Sequence, residues 1–536
     1  MTPAIRDSSP YSREATSMQG VHTILATPQW YVNSQLSGLL DDDANALRKV
    51  RVPLKPDGPL FLTGTVSELS VRVCVPGSVG KVAFVVGFDS GTMDYRDLTG
   101  DPSTALRCDI AGLRTSFLVD LAKAGVSDLT TLPPAVRRRA GALAKSFQGA
   151  FTIQRLFLDL ANADLTAFDP DGTKFPSTMP SSAVAMFPAY LTLYLDEIRK
   201  ADGHVLGYTV TVPEWKDPTP SFPPRSIDFV TNEYRDGTGK IEGRDMDSIL
   251  YLMMTGTAKL PDNLTPWWGD FIQPSDGAIG APVARYGTIA MARKLFLDDY
   301  LLPRLAPLVC GYWKLEDNDG SLDLALSAVT SGELTSKADG GVFSYGPVSA
   351  KSHQTNTFSN DDIVFTMAWQ VSLRFIPGTA TIRIERTVDC TLDYTHWFGV
   401  ENHAISSSFT VRYRVPVTIL VNIIGAVDGV LKVSAEVELP PPDPGDVLGK
   451  LPYASCLIGS IDGGALLEPL IEQCDRAVSD AIDKAYAEAL PAQITTTLAQ
   501  QINVAPFVFP GGGQLSMVEP AFNNQGDLLM GTSAKS

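Results

Sequence analysis

From Ile363 to Phe375 every second position is apolar: Ile363, Phe365, Met367, Trp369, Val371, Leu373 and Phe375. Thr366, Ala368, Gln370, Ser372 and Arg374 stand between them. A second run repeats the alternation at Phe409, Val411, Tyr413, Val415, Val417, Ile419 and Val421, and a third at Leu431, Val433, Ala435, Val437 and Leu439. A period of two marks a strand with one apolar and one wet face. An ordinary strand has about 5–6 residues, whereas the second run extends for roughly 50 Å at ~3.3 Å per residue. Neighbouring strands of that length make a strongly twisted antiparallel sheet, whose apolar face needs an equally long cover.

The following segment supplies one. Leu467, Leu470, Ile471, Cys474, Val478, Ile482 and Ala485 recur at helical spacing, with Glu472, Asp475, Asp480 and Lys484 on the other side. The pattern predicts an amphipathic helix over 464–490, closed by Pro491 and roughly 40 Å long at ~1.5 Å per residue. The expected class is therefore α+β, a long, highly curved antiparallel sheet wrapped around a long helix. Met367, Trp369, Val371, Leu373, Phe375, Val411, Tyr413, Leu467, Ile471 and Val478 are its expected inward positions. Whether the facing layers close into a solid sandwich or splay into a groove stays open at this point.

Elsewhere the chain divides by punctuation. Residues 1–20 read as a flexible tail, and 21–212 as an N-terminal part of strands and helices. The latter holds a short helix from Trp30 to Leu40, a hairpin turn at Pro76-Gly77-Ser78, a helix over 132–147, a strand from Phe151 to Leu160 and a helix from Met186 to Lys200. Residues 213–245 are a Pro-, Gly- and Asp-rich connector. The C-terminal part, 246–515, carries a short apolar segment at Ile249–Met254, a helix from Ala292 to Leu305 closed by Pro303 and Pro307, and the long strands. A hairpin and tail fill 516–536. Both halves run from long strands to an amphipathic helix to another strand, a weak two-fold echo.

Charge narrows the partners. The 536 residues carry a net charge of -17, which argues against nucleic acid, since phosphate binding needs concentrated basic surface. No apolar run reaches the ~20 residues that span a bilayer, and Met1–Gly20 lacks the apolar core of a secretory signal. The expectation is a soluble protein, cytoplasmic or released without a conventional signal. The cysteines Cys74, Cys108, Cys310, Cys390, Cys456 and Cys474 show no paired spacing and read as free thiols.

Several segments together resemble one family. Gly77-Ser78-Val79-Gly80 with Asp89-Ser90-Gly91-Thr92, the stretch Phe151–Asp159, Leu250–Thr255, Gly287-Thr288-Ile289-Ala290 followed by Phe296-Leu297-Asp298 and Tyr300–Leu305, and Pro506–Pro510 with its glycine turn occur in that family's order. They resemble the P-forty-seven and OrfX proteins of clostridial neurotoxin gene clusters, members of the TULIP (tubular lipid-binding) superfamily. The matches run from about residue 65 to 525, and none is catalytic. The family's glycine-tryptophan opening is at best echoed by Gly20 and Trp30. The resemblance implies a TULIP-like fold in a bacterial protein, a lipid or other hydrophobic ligand, and protein partners encoded beside a toxin.

Catalytic and metal patterns are missing. There is no G-x-S-x-G, no phosphate-cradling G-x-x-x-x-G-K-[ST] and no strand-linked G-x-G-x-x-G. His396 and His403 with Asp393 and Glu401 are too dispersed for a compact metal set. Glu316–Gly320 echoes a calcium loop, but Leu315 and Leu326 fall on two ligand positions, so a turn is the better reading. The chain is expected to be no enzyme and to need no cofactor. A hydrophobic-ligand binder is the favoured reading. A structural or interaction subunit with a filled core is the alternative, with Trp267 and Trp268 as candidate surface contacts.

Overall fold

The computed structural model describes residues 13–41, 47–78, 80–97, 104–146, 151–212, 222–236, 238–239, 244–262, 271–272, 286–318, 321–327, 337–339, 342–356, 361–400, 403–427, 430–438, 454–457, 483–499, 507–508 and 515–534, with backbone alone at 14, 144–146, 244, 312–361, 363, 390, 392, 394–413, 415, 427, 430, 454–457, 483, 485–486, 515 and 534. Leu467, Ile471 and Val478, most of the helix expected over 464–490, and Trp267 and Trp268 lie outside these residues. Two units divide the chain: 1–292 with 502–518 and 529–536, and 293–501 with 519–528.

The first unit opens with β1 (Thr23–Pro28), which runs into α1 (Gln29–Gly38), one residue from the start the pattern gives. β2 (Lys49–Pro53), β3 (Phe61–Arg72), β4 (Lys81–Arg96), β5 (Ala105–Asp109) and β6 (Arg114–Val126) follow. The turn between β3 and β4 is where the sequence places it: Gly77 and Gly80 sit at φ 77 and 75, conformations glycine adopts without steric cost. Next come α2 (Pro134–Ser146), β7 (Thr152–Leu158), α3 (Ser181–Lys200) and β8 (Val205–Thr211). The strands β2-β3-β4-β6-β7-β8 pair in that order, with β5 beside β4.

Two expectations fail in this unit. The tail ends earlier than read, because Thr16 and Met18 are buried. Met18 packs with Val21, Ile24, Leu250 and Phe271. Inside the stretch read as connector, β9 (Pro224–Asn232) is a full strand. It pairs antiparallel with β10 (Ser248–Thr255), which pairs in turn with β1. Pro224 opens β9, where its missing N–H costs the ladder least, so the proline signal misled. Every residue of β10 is buried, which explains its unbroken apolar sequence. β11 (Gly287–Met291) lies on the other side of β1.

The second unit begins with a π-helical turn, Lys294–Leu301, continuous with α4 (Leu302–Val309). Pro303 and Pro307 therefore do not close this helix. Pro303 lies in the first turn of α4, where an N–H is not required. Leu302 N–H reaches back five residues to Leu297 O, so the wider turn absorbs the donor that proline lacks. The strands β12 (Tyr312–Asn318) and β13 (Ser321–Ser327) form a hairpin in which Asn318 faces Ser321. β14 (Lys337–Asp339), β15 (Val342–Asn356), β16 (Asp361–Phe375), β17 (Thr381–Val400) and β18 (His403–Val427) then pair in sequence. β19 (Val430–Glu438) and β20 (Ala454–Leu457) both pair with β18.

The described end of the expected long helix is a π-helical turn, Asp483–Ala489, followed by α5 (Leu490–Leu498). Pro491 stands in the first turn of α5 and not at a helix end, the same arrangement as Pro303 in α4. In both places a proline read as a stop lies inside a continuous helical run, just where the π turn gives way to the α-helix. β21 (Phe507–Val508) adds to the edge of β8 in the first unit, and the chain ends in the expected hairpin, β22 (Leu515–Phe522) and β23 (Leu528–Ala534).

Candidate ligand-binding face

The candidate site is the apolar face of the sheet β16–β19, and register builds it. Directly opposed residues on antiparallel strands share a face, so the backbone register sorts positions into cross-strand rows. Phe365, Leu392 and Val411 form one row, and Met367, Cys390 and Tyr413 the next. Trp369, Val388 and Val415 follow, then Val371, Arg386 and Val417. Leu373, Ile384, Ile419 and Val437 make the fifth, and Phe375, Ile382, Val421 and Ala435 the sixth. The alternation read in three separate segments thus lands on one surface. At ~3.3 Å per residue the twenty residues of β17 and twenty-five of β18 run for roughly 65–80 Å.

Met367, Trp369, Val371 and Leu373 are buried, as are Ile382, Ile384, Val388, Val417, Ile419 and Val421. Phe375 is half-buried, packing its ring 5.8 Å from that of Phe522. Of the expected inward positions, the structure thus brings Met367, Trp369, Val371, Leu373 and Phe375 together. Val411 and Tyr413 fall on the same face by backbone register, while Leu467, Ile471 and Val478 lie outside the described residues. Helix α5 buries Leu490, Ile494 and Leu498, and α4 buries Leu302, Leu305 and Val309. Tyr300, in the turn before α4, donates from its hydroxyl to Leu498 O at 3.4 Å.

One residue of this face escapes sequence reasoning. Arg386 is 1% exposed in the midst of apolar rows. Its Nη1 donates to Val309 O at 2.8 Å and its Nη2 to Gly311 O, so it satisfies carbonyls at the C-terminal end of α4. The guanidinium also lies 5.7 Å from the ring of Trp369, within cation–π range. The indole Nε1 of Trp369 is buried without a hydrogen-bond partner. The signal for Arg386 was present but unread: Thr381-Ile382-Arg383-Ile384-Glu385-Arg386-Thr387-Val388 alternates, with an arginine where an apolar residue belongs. Beside it the Cys310 thiol is free, and burial pushes its pKa up to about 12. Cys74 and Cys108 are also free.

With the face built, solved structures similar to the chain can be set beside it. P47 of Clostridium botulinum E1 is similar over 96% of this chain and 99% of its own, at 10% identity and a TM-score of 0.46. P47 from Clostridium botulinum A2 is similar over 97% and 99%, at 9% identity and a TM-score of 0.41. A lipopolysaccharide binding protein covers 96% and 99%, at 10% identity and a TM-score of 0.32. No family model matches the chain, and no curated protein matches it in sequence. The chain is similar to P47, the protein the segment order resembles.

Among the described residues no group of three His, Cys, Asp or Glu side chains is placed to hold a metal. No described helix is long and apolar enough to cross a membrane.

Proposed function

We propose that this chain binds a lipid or another hydrophobic small molecule along the apolar face of β16–β19. The observation that carries the reading is the continuity of that face. Six cross-strand rows, interrupted by one buried arginine, extend along strands several times longer than a soluble domain needs for a core. An acyl chain is a fitting cover, gaining about 0.8 kcal/mol per buried CH₂. In this reading the amphipathic segment 464–490 lies along the same face with Leu467, Ile471 and Val478 inward, giving the sheet-around-helix arrangement of a TULIP-like fold. The protein acts by holding its ligand, without catalysis and without a cofactor. Proteins encoded in a toxin gene cluster, which the sequence resemblance implies, are the proposed partners.

The test is extraction and native mass spectrometry of the purified full chain, with uptake of a fluorescent phosphatidylcholine from vesicles. Co-purifying lipid near one per chain, or saturable uptake, supports the reading. A lipid-free preparation that also takes up no fluorescent lipid overturns it in favour of a structural subunit with a filled core.

A further inference from the structure

A second surface, within the first unit, is basic in an acidic chain. No acidic residue falls between Ala44 and Pro56, whereas Arg48, Lys49, Arg51 and Lys55 all do, in a chain of net charge -17. Arg48 is engaged with the fold, its Nη1 donating to Leu40 O at 3.1 Å. Lys49, Arg51 and Lys55 are exposed, and among the described residues none of the three enters an ion pair. Lys49 and Arg51 lie two apart on β2, where the alternate residues Val50 and Val52 are buried. Both cations therefore stand on the outer face of the sheet. Among the described strands β2 bounds that sheet, pairing with β3 alone.

Register extends the two cations into a grid. Lys49 faces Thr65, which faces Ser90; Arg51 faces Thr63, which faces Thr92. Leu62 and Met93, one position further along their strands, are buried, whereas Thr63, Ser90 and Thr92 are exposed and Thr65 is half-buried. Two cations and four hydroxyls thus share one open surface, about 7 Å along the strands and ~10 Å across them. Arg51 is held in place, with its guanidinium carbon 4.5 Å from the centre of the Phe61 ring. Stacking uses the flat face of the guanidinium and leaves its N–H edge for a ligand. Asp94, near Phe61, is already paired with Arg107 at 2.7 Å. The carboxylates that flank the grid are Asp89, beside Ser90 on β4, and Asp109, opposite Thr92 on β5. At ~4.8 Å per strand they stand about 10 and 14 Å from the β2 cations, beyond the ~8 Å screening length at physiological salt.

The composition of the grid selects its partner. Cations on an edge strand guard against pairing with another chain, a role that asks nothing of four hydroxyls or of a guanidinium stacked on a ring. An anionic bilayer is held through apolar side chains as well as cations, and the grid presents none. Nucleic acid needs rings free for stacking or on the order of six to ten phosphate contacts. Here the Phe61 ring lies against Arg51, and two cations are too few. Hydroxyls bond other hydroxyls, and Lys and Arg bond oxyanions. A chain of sugar rings carrying sulfate esters offers both, at a spacing close to that of the grid. We infer that Lys49, Arg51, Thr63, Thr65, Ser90 and Thr92 form a docking surface for a sulfated polysaccharide. Its sulfates lie along β2 and its ring hydroxyls over β3 and β4, apart from the apolar face of β16–β19.

Calorimetric titration of the full chain with a heparin-derived hexasaccharide tests this. The probe has no acyl chain, so its result is independent of whether the chain carries lipid. Arg51→Gln and Lys49→Gln each remove one cation, and Thr63→Val removes a hydroxyl at nearly constant shape. Arg138→Gln, at an exposed position of α2, is the control for charge alone. Binding by the parent supports the surface if Kd weakens about tenfold in Arg51→Gln or Lys49→Gln and about threefold in Thr63→Val, with Arg138→Gln unchanged. Thermal melts establish that the variants are folded. No binding by the parent overturns the inference, as does an equal loss in Arg51→Gln and Arg138→Gln, or no loss in Thr63→Val. So does equal affinity for an unsulfated hexasaccharide, or binding of phosphatidylglycerol vesicles or a single-stranded oligonucleotide in place of the sulfated probe.

Discussion

Arg386 reaches from the middle of a buried strand to the last turn of a helix, its Nη1 2.8 Å from Val309 O. A buried cation is costly, and a helix C-terminus is one of the few uncharged partners that offset the cost, through its unpaired carbonyls and the negative end of its dipole. This contact fixes α4 against the row Val371–Arg386–Val417.

Replacing Arg386 by Met removes both donors and leaves Val309 and Gly311 carbonyls buried. The expected loss is about 2–4 kcal/mol, since hydrogen bonds to charged groups contribute ~1.5–3 kcal/mol. Urea unfolding checks it, and an unchanged midpoint refutes the helix-end role.

The register predicts a sharp contrast between two isoleucines five positions apart on β18. Ile419 is 0% exposed, whereas Ile424, inside the irregularity between Ile423 and Gly425, is 59% exposed. Ile419→Asp places a charge among apolar rows and is expected to cost more than about 4 kcal/mol, whereas Ile424→Asp stays within about 0.5 kcal/mol. A one-residue slip of β18 reverses the pair, so measuring both stabilities tests the pairing itself.

His204 gives the protein an acid-sensitive term. Burial, reinforced by Arg155, lowers its pKa from 6.5 to about 4, and its Nδ1 has no partner. The unfolded chain therefore binds a proton before the folded one. This histidine's contribution is full above pH 6.5, falls as the pH drops towards 4, and levels off below. The fall amounts to about 3 kcal/mol at most. Stability of His204→Gln and of the parent, measured from pH 7.5 to 4, should diverge in that window. Parallel curves refute the assignment.

Gly207 is required by its neighbour. A Cβ there overlaps the ring of Phe507, which β21 lays across β8. Gly207→Ala is expected to cost about 1–3 kcal/mol through overpacking. Adding Phe507→Leu should recover part of that loss, a non-additivity that thermal melts of the two single variants and the double variant would reveal.

The burial of Met367 to Leu373 was legible because alternation and burial have the same cause. A strand with one face against an apolar layer must place apolar side chains at every second position, so Met367 to Leu373 could be read as inward without coordinates. The prolines at 303 and 491 misled because a helix can carry a proline where a wider π turn precedes it, and no single residue signals that turn. β9 was missed because Pro224 and its polar surroundings look like a connector until a neighbouring strand takes up the hydrogen bonds.

What the sequence determined by itself is periodic: which positions turn together, and where glycines permit a reversed backbone. These follow from forces acting within a few residues. What only the tertiary structure decided is coincidence in space. Arg386 meets the end of α4 from seventy-seven positions away. The Tyr286 N–H meets the Thr532 carbonyl from far along the chain. Such meetings are set by strand order and register, which depend on the sum of many weak pairings and leave no mark on any single segment.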